Sequence, residues 1–246
     1  MVRHLPGLDG ARRVETPVFE QLRRQGDLTV ALAGTLVVHG PEGTGKNFAV
    51  DDYLDRQTLP VVEIAPAPGI RSTEFIVDLH AAVVGYRDDH EHRGRLRNEL
   101  VEFLRAEPRI LKIARAHNLT VENERLLTWL HENVRPSFPL IYVTRDAATS
   151  PAAAATVAVR PLTGRVLIDT LTRYHDLFTT ADPALLAEID DVLCHGRWIH
   201  WARFLQTALF LHARLRQRGE PEPPLDRQFA KAVIAGLQPA RPHRSA

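Results

Sequence analysis

Apolar residues fall in two kinds of run along this chain: short dense ones, and longer ones with apolar positions three or four apart. The dense runs are Thr35–Val38, Leu59–Ile64, Arg109–Ile113 and Leu140–Thr144. They are rich in Val, Ile and Leu, and this composition predicts buried strands. The stretches between them have helical spacing. Thr16 is an N-cap candidate with Pro17 at the first helical position, opening a helix that runs to about Gly26. Leu28–Val38 holds a helix-compatible half and then the first strand. Phe48–Arg56 is a second helix. Ser72–Val84 carries Phe75, Ile76, Leu79 and Val83 on one face, and Leu96–Ala106 carries Leu96, Leu100, Phe103 and Leu104. His90–Arg95 reads as a charged loop, and Glu122–Val134 as a further helix. Strands and helices of modest length in alternation predict an α/β fold, a parallel sheet with helices on both faces.

The alternation stops near residue 150. Thr149–Ala155 is a Ser/Pro/Ala-rich connector, and Val157–Val159 a short strand candidate. From Arg165 to Arg218 the pattern is helical, through Leu167, Leu171, Leu185, Leu186, Ile189 and the segment Trp198–Leu215. Gly219–Pro224 is a proline-rich break before a last helix, Asp226–Leu237. The expected organisation is a flexible arm over 1–15, an α/β core over 16–150, a helical part over 151–219, and over 220–246 the break, the last helix and a disordered tail.

The first strand leads into Gly40-Pro41-Glu42-Gly43-Thr44-Gly45-Lys46-Asn47, and a helix leads out through Phe48. This is G-x-x-x-x-G-K in the strand–loop–helix setting that a phosphate loop requires. Glycines let the backbone turn its N–H groups toward a polyphosphate. The helix N-terminus adds a partial positive charge, and Lys46 a full one. The next position usually carries a Ser or Thr hydroxyl for Mg²⁺, and here it is Asn47. An amide oxygen reaches out farther and at another angle, which weakens an octahedral Mg²⁺ site more than the phosphate cradle. The alternative is a glycine-rich turn that binds nothing. Nucleotide-binding candidates are therefore Gly40, Pro41, Glu42, Gly43, Thr44, Gly45, Lys46, Asn47 and Phe48.

Composition narrows this picture. The chain has 246 residues, 44% of them hydrophobic, enough for a sizeable core, and its net charge of +1 argues against a wholly basic nucleic-acid-coating protein. Its only lysines are Lys46, Lys112 and Lys231, so Lys46 is not drawn from a lysine-rich background. A single cysteine, Cys194, excludes an internal disulfide and fits a reducing, cytoplasmic compartment. The polar N-terminal stretch does not read as a signal peptide, and no run reaches the length of a membrane span.

A phosphate-loop ATPase needs a second acidic motif at the end of another strand. Here the strand Arg109–Ile113 is followed by Ala114-Arg115-Ala116-His117-Asn118-Leu119. This resembles the D-E-A-H/Q-N-L segment of AAA ATPases of the transposon target-selection and ExeA-like secretion families, with Ala114 at the Asp position and Arg115 at the Glu position. Thr16–Phe19, Trp129–Glu132 with the strand Leu140–Thr144, Val159–Thr163, Leu171–His175 and Gly196–Phe204 resemble successive segments of the same families, so the similarity covers roughly residues 16–215. It implies a phosphate-loop ATPase fold with a helical lid, binding of ATP or ADP, self-association or contact with another AAA subunit, and contact with DNA or a transposase. It implies Thr144 and Asp146 as sensor candidates, and a lid arginine at a position held by Ile199 or His200. The degenerate second motif, Ala114 and Arg115, predicts little or no hydrolysis and a doubtful Mg²⁺ site. Two further readings stand beside this one: a nucleotide-free interaction scaffold, and an ATPase completed in trans by a partner.

Other residues carry weaker signals. Asp169 ends the apolar run Arg165–Ile168, but Val166, Leu167, Leu171 and Tyr174 share a helical face there. Asp146 is a second candidate for a rescued carboxylate, against a solvated loop Asp beside Arg145. Arg115 has two readings: it pairs with phosphate in place of the metal, or it pairs with a carboxylate such as Asp146 and plugs the site. His90, His92, His195 and His200 show no recognised zinc spacing. Trp198 and Trp201 read as core rather than base-stacking positions, and Arg214, Arg216 and Arg218 as a solvated helix end.

Overall fold

The computed structural model of the chain describes residues 8–87, 92–134, 137–146 and 155–237. The strands are β1 (Thr35–His39), β2 (Val61–Ile64), β3 (Ile110–Ile113), β4 (Leu140–Thr144) and β5 (Ala155–Ala158). They form one sheet in the order β2-β3-β4-β1-β5, and every adjacent pair is parallel. The helices of this part are α1 (Pro17–Ala31), α2 (Lys46–Leu54), α3 (Ser72–Val84), α4 (Arg93–Ala106) and α5 (Val121–Asn133).

Strand alternation divides the apolar residues between two cores. Val37, Leu111, Ile113, Leu140 and Tyr142 face a core shared with Phe75, Leu79, Leu100 and Leu127 of α3, α4 and α5. Leu36, Val38, Ile141, Val143 and Val157 face the other, shared with Phe19 and Leu22 of α1 and with Val50 and Tyr53 of α2. The α/β architecture expected from the sequence is the one observed. Because all strands are parallel, their carboxyl ends lie along one edge. The loop after β1, the turn after β3 and the end of β4 share that edge, where open α/β sheets bind ligands.

The remaining helices are α6 (Gly164–Tyr174), α7 (Asp176–Thr179), α8 (Pro183–Ile189), α9 (Trp198–Gln217) and α10 (Arg227–Leu237). They enclose their own core of Leu171, Phe178, Leu186, Trp201, Phe204, Leu205, Phe229 and Val233. Caps set their ends: Asp182 accepts from Ala184 N at 2.9 Å ahead of Pro183, and Asp226 accepts from Phe229 N at 2.8 Å. A π-helical turn, Asp190–Cys194, joins α8 to the approach of α9. Residues 17–41 and 46–159 form one compact unit; residues 42–45, 160 onward and the described N-terminal residues form the other.

Several expected boundaries move, each for a physical reason. The first helix does not stop at Gly26 but continues to Ala31. Gly26 is there for space: a Cβ on it would lie 2.4 Å from the Tyr53 ring. Helix α4 begins at Arg93, inside the expected charged loop, because the His92 side chain caps it by accepting from Gly94 N at 3.2 Å. β5 starts at Ala155, which the sequence had placed in the connector. Residues 1–15 were expected to form a flexible arm, but Leu8 is buried in the helical core, Arg12 N donates to Tyr174 O at 2.7 Å, and the Arg12 guanidinium pairs with Asp176. Residues 1–7, His90, residues 149–154 of the connector and the tail 241–246 lie outside the described residues.

Candidate functional site

The loop after β1 is shaped by positions that exclude side chains. Gly40 has φ +148°, and a Cβ there would lie 2.0 Å from the carbonyl oxygen of Val159. Gly43 and Gly45 are left-handed, at φ +81° and +89°. The base of the loop is tied to both neighbouring strands. Gly40 N donates to Arg145 O at 3.1 Å, just past β4, and Val159 N donates to His39 O at 2.7 Å, just past β5. Lys46 opens α2, and its Nζ donates to the carbonyls of Gly40 and Pro41, each at 2.6 Å. The ammonium is thus held across the entrance of its own loop. No acid occupies the first turn of α2, so the helix N-terminus keeps its affinity for an anion. Asn47 is exposed, and Phe48 meets Phe19 edge-on at 6.1 Å.

The other residues of the carboxyl edge follow from the strand order. Thr144, at the end of β4, stands in register with His39 and is buried; Asp146, two residues on, is exposed. β3 lies two strands from β1, roughly 10 Å away at standard strand spacing. Its end offers no carboxylate. Ala114 is buried and donates its N–H to Ile64 O at 2.8 Å. Arg115 is exposed and left-handed at φ +54°, a conformation that costs a non-glycine residue roughly 1–2 kcal/mol. A 3₁₀ turn, Ala116–Asn118, then carries the chain away, and Asn118 Nδ2 donates to Pro66 O at 2.9 Å. Among the described residues Arg115 makes no ion pair, with Asp146 or otherwise. Of the two readings of Arg115, the plugging pair with a carboxylate is therefore not formed among the described residues, where Arg115 leaves β3 toward solvent.

Sequence reasoning overlooked Lys112. It is the third residue of β3, on the face that carries α2, and its side chain is 2% exposed. Its ammonium pairs with Asp51 of α2 and lies 3.1 Å from Glu63 of β2. A buried ammonium requires such partners. They join helix α2 to the strand that ends in Ala114 and Arg115. The signal was a lysine inside the apolar run Ile110-Leu111-Lys112-Ile113 in a lysine-poor chain.

In the helical unit, a buried carboxylate builds the approach to α9. Asp190 Oδ1 accepts from Gly196 N at 2.7 Å and from Trp201 Nε1 at 3.0 Å. The first turn of α9 then meets the loop tip 42–45, which belongs to the same compact unit. Ile199 N donates to Gly43 O at 3.1 Å. A Cβ on Gly43 would lie 2.4 Å from Ile199 Cγ2 and 3.7 Å from Arg197 Cβ, and one on Gly45 would lie 3.3 Å from Trp198. The tip is therefore glycine for contact as well as conformation. At the expected lid-arginine position, Ile199 packs on the loop, while His200 Nδ1 lies 3.0 Å from Leu193 O. Arg197, the N-cap of α9, begins beside the loop tip with its Cβ, and the sequence reading did not single it out.

The weaker candidates are also placed. Asp169 lies on α6, exposed beside Arg165, and not on a strand. Trp201 is fully buried; Trp198 is half-buried and meets Tyr174 at 5.1 Å. Arg216 pairs with Glu222, and Arg214 lies over the Phe210 ring at 5.3 Å. Burial, with the nearby Asp190 carboxylate, pushes the Cys194 thiol far up. Among the described residues no group of three His, Cys, Asp or Glu is placed to hold a metal ion, and no helix is long and apolar enough to cross a membrane.

No protein-family model matches the chain, and no curated protein matches it in sequence. Solved structures do match. A chain of Drosophila ORC, solved bound to DNA, superposes with a TM-score of 0.69 at 10% identity, over 95% of this chain and 63% of that one. The RuvB Holliday junction branch migration motor of Thermotoga maritima gives 0.57 at 13% identity, over 89% and 68%. A Walker-type ATPase of Pyrococcus abyssi gives 0.53 at 16% identity, over 88% and 73%. The chain thus spans less than two thirds of the ORC chain it matches. At these identities the likeness concerns the fold alone, a phosphate-loop NTPase α/β fold followed by a helical part.

Proposed function

We propose that this chain binds a nucleoside di- or triphosphate at Gly40–Phe48 and hydrolyses it little or not at all. The observation that carries the reading is the loop itself. Gly40, Gly43 and Gly45 hold a conformation closed to side chains, and Lys46 stands at the head of a helix with no acid in its first turn. Backbone N–H groups of the loop and the start of α2 would cradle the phosphates. Lys46 would exchange its carbonyl partners for phosphate oxygens.

Hydrolysis by this fold needs a bound Mg²⁺ and a carboxylate to orient water. The residues present do not suit that ion: Asn47 stands at its ligand position, and Ala114 and Arg115 stand where the carboxylates would be. Binding is therefore expected to depend weakly on Mg²⁺, with ADP held at least as well as ATP. Resemblance to transposon target-selection ATPases, and the likeness to ORC solved bound to DNA, support a role as a nucleotide-responsive partner of DNA or a transposase, acting in a homo-oligomer or with another AAA subunit. Thr144 is the sensor candidate best supported, since it ends the strand beside β1; Asp146 is the second.

One observation favours the scaffold reading: Ile199 and Trp198 already occupy the loop tip. The Ile199 bond uses the Gly43 carbonyl rather than a loop N–H, so it does not by itself compete with phosphate. Calorimetric titration with ADP, with ATP and EDTA, and with ATP and Mg²⁺ separates the readings. Binding in all three, lost in Lys46→Ala, supports the proposal. No binding in any supports the scaffold, and strongly Mg²⁺-dependent preference for ATP overturns the account of Asn47.

A further inference from the structure

Far from the phosphate loop in sequence, helices α3, α4 and α5 begin around two adjoining cavities of about 710 and 590 Å³. Ser72, Arg93 and Glu122 line both, which makes them one continuous trough. Arg71 completes the basic lining at one end; Arg97 and Arg125 line the other, with Trp129. Against these four guanidinium groups the described lining supplies one carboxylate, Glu122.

The arginines are not spent on structure. Arg93 Nη1 reaches Ser72 Oγ at 3.4 Å. Arg97 lies flat over the Trp129 ring, 3.8 Å from its centroid, and its Nε is buried with no hydrogen-bond partner. Among the described residues none of the four pairs with a carboxylate. The placement of Arg93 also opposes helix stability. Anions stabilise a helix N-terminus and cations destabilise it. Yet α4 carries Arg93 in its first turn with no acid there, whereas α3 and α5 keep Glu74 and Glu122 in theirs; α3 starts without a side-chain cap, and its Ser72 and Thr73 line the trough. Local rules are broken in this way where a ligand supplies the compensation.

We infer that this trough is a second anion site, separate from the phosphate loop, that takes an oligophosphate: a chain of successive phosphoryl groups, free or carried on a nucleic-acid backbone. Guanidinium forks match phosphoryl oxygens two at a time. The first-turn N–H groups of α3 add donors. A trough formed by two adjoining cavities suits several phosphates in a row better than one. Stacking on Trp129 holds Arg97 flat and leaves its edge donors for an anion.

The test uses the full chain carrying Lys46→Ala, which removes the loop's own phosphate binding and so makes failure here independent of the nucleotide proposal. Tripolyphosphate and a short single-stranded oligonucleotide are each titrated calorimetrically. Binding of at least one, weakened about tenfold by Arg125→Gln and by Arg97→Gln and falling with added salt, is the expected result. Tripolyphosphate binding identifies a free oligophosphate as a sufficient ligand, and oligonucleotide binding alone identifies the backbone as the source. Both support the site. Arg125 is exposed, so its variant folds as the parent does; thermal melting of Arg97→Gln checks the loss of the Trp129 contact. Binding of neither ligand, or binding unchanged in both variants, overturns the inference.

Discussion

The Lys112 network predicts an asymmetry that a simple count of ion pairs would miss. The Lys112 side chain is 2% exposed, while Asp51 and Glu63 are 20% and 41% exposed. Lys112→Met keeps an unbranched stem of similar volume and leaves two carboxylates that reach water. Replacing a buried charge by a matched apolar group is often close to neutral, so the expected change is within about 1 kcal/mol. Asp51→Ala does the reverse. It leaves a buried ammonium with only Glu63, which is itself largely solvated. Breaking a buried pair from one side costs about 3–5 kcal/mol. The remaining Glu63 and the partial exposure of Asp51 reduce this to about 2–3 kcal/mol. The double variant, which leaves no buried ammonium, should be more stable than Asp51→Ala alone by about 1–3 kcal/mol, and that difference is the coupling. Urea unfolding followed by circular dichroism, comparing midpoints at equal slope, measures all three variants. An Asp51→Ala protein as stable as Lys112→Met, or strict additivity in the double variant, would show that the buried ammonium does not depend on Asp51.

Three further outcomes are expected. Arg115→Ala should weaken ADP binding by about 1 kcal/mol in calorimetry, the low end of the range for a lost charged hydrogen bond; tighter binding in that variant would restore the plugging role that the structure does not support. Hydrogen bonding to His80, Arg95 and Tyr86 holds the Glu99 carboxyl below the usual range. A depressed folded value means stabilisation that is present above the ordinary carboxylate range and lost as pH falls through the lower folded value. The melting temperature of the parent should therefore drop more steeply in acid than that of Glu99→Gln, and parallel curves would contradict this. Cys194, buried with its thiol pushed up, should resist iodoacetamide at neutral pH in the folded protein and react in urea, as mass spectrometry would show.

Much of this was legible in the sequence because it depends on local rules. The dense apolar runs marked the strands, and the glycine spacing before Lys46 marked the loop. The position of Ala114 and Arg115 needed only that of β3, which ends just before them. What escaped depends on contacts between distant segments. Gly26 reads as a helix stop and is a seat for Tyr53. Lys112 reads as one polar residue in a strand until Asp51 and Glu63 arrive from other elements. Arg197 lay within a recognised segment, but its position beside Gly43 follows from the turn that Asp190 organises. The pairing of Arg115 with Asp146 looked reasonable in one dimension and fails because Arg115 turns toward solvent.

Retention of nucleotide without turnover is read from the fate of bound ATP. The protein is incubated with γ-labelled ATP without added Mg²⁺ and again with it, then separated from free nucleotide, and the bound species is identified. Intact ATP, retained under both conditions and absent from Lys46→Ala, is the predicted result. Conversion to ADP and phosphate that depends on Lys46, or retention of no nucleotide at all, would contradict it.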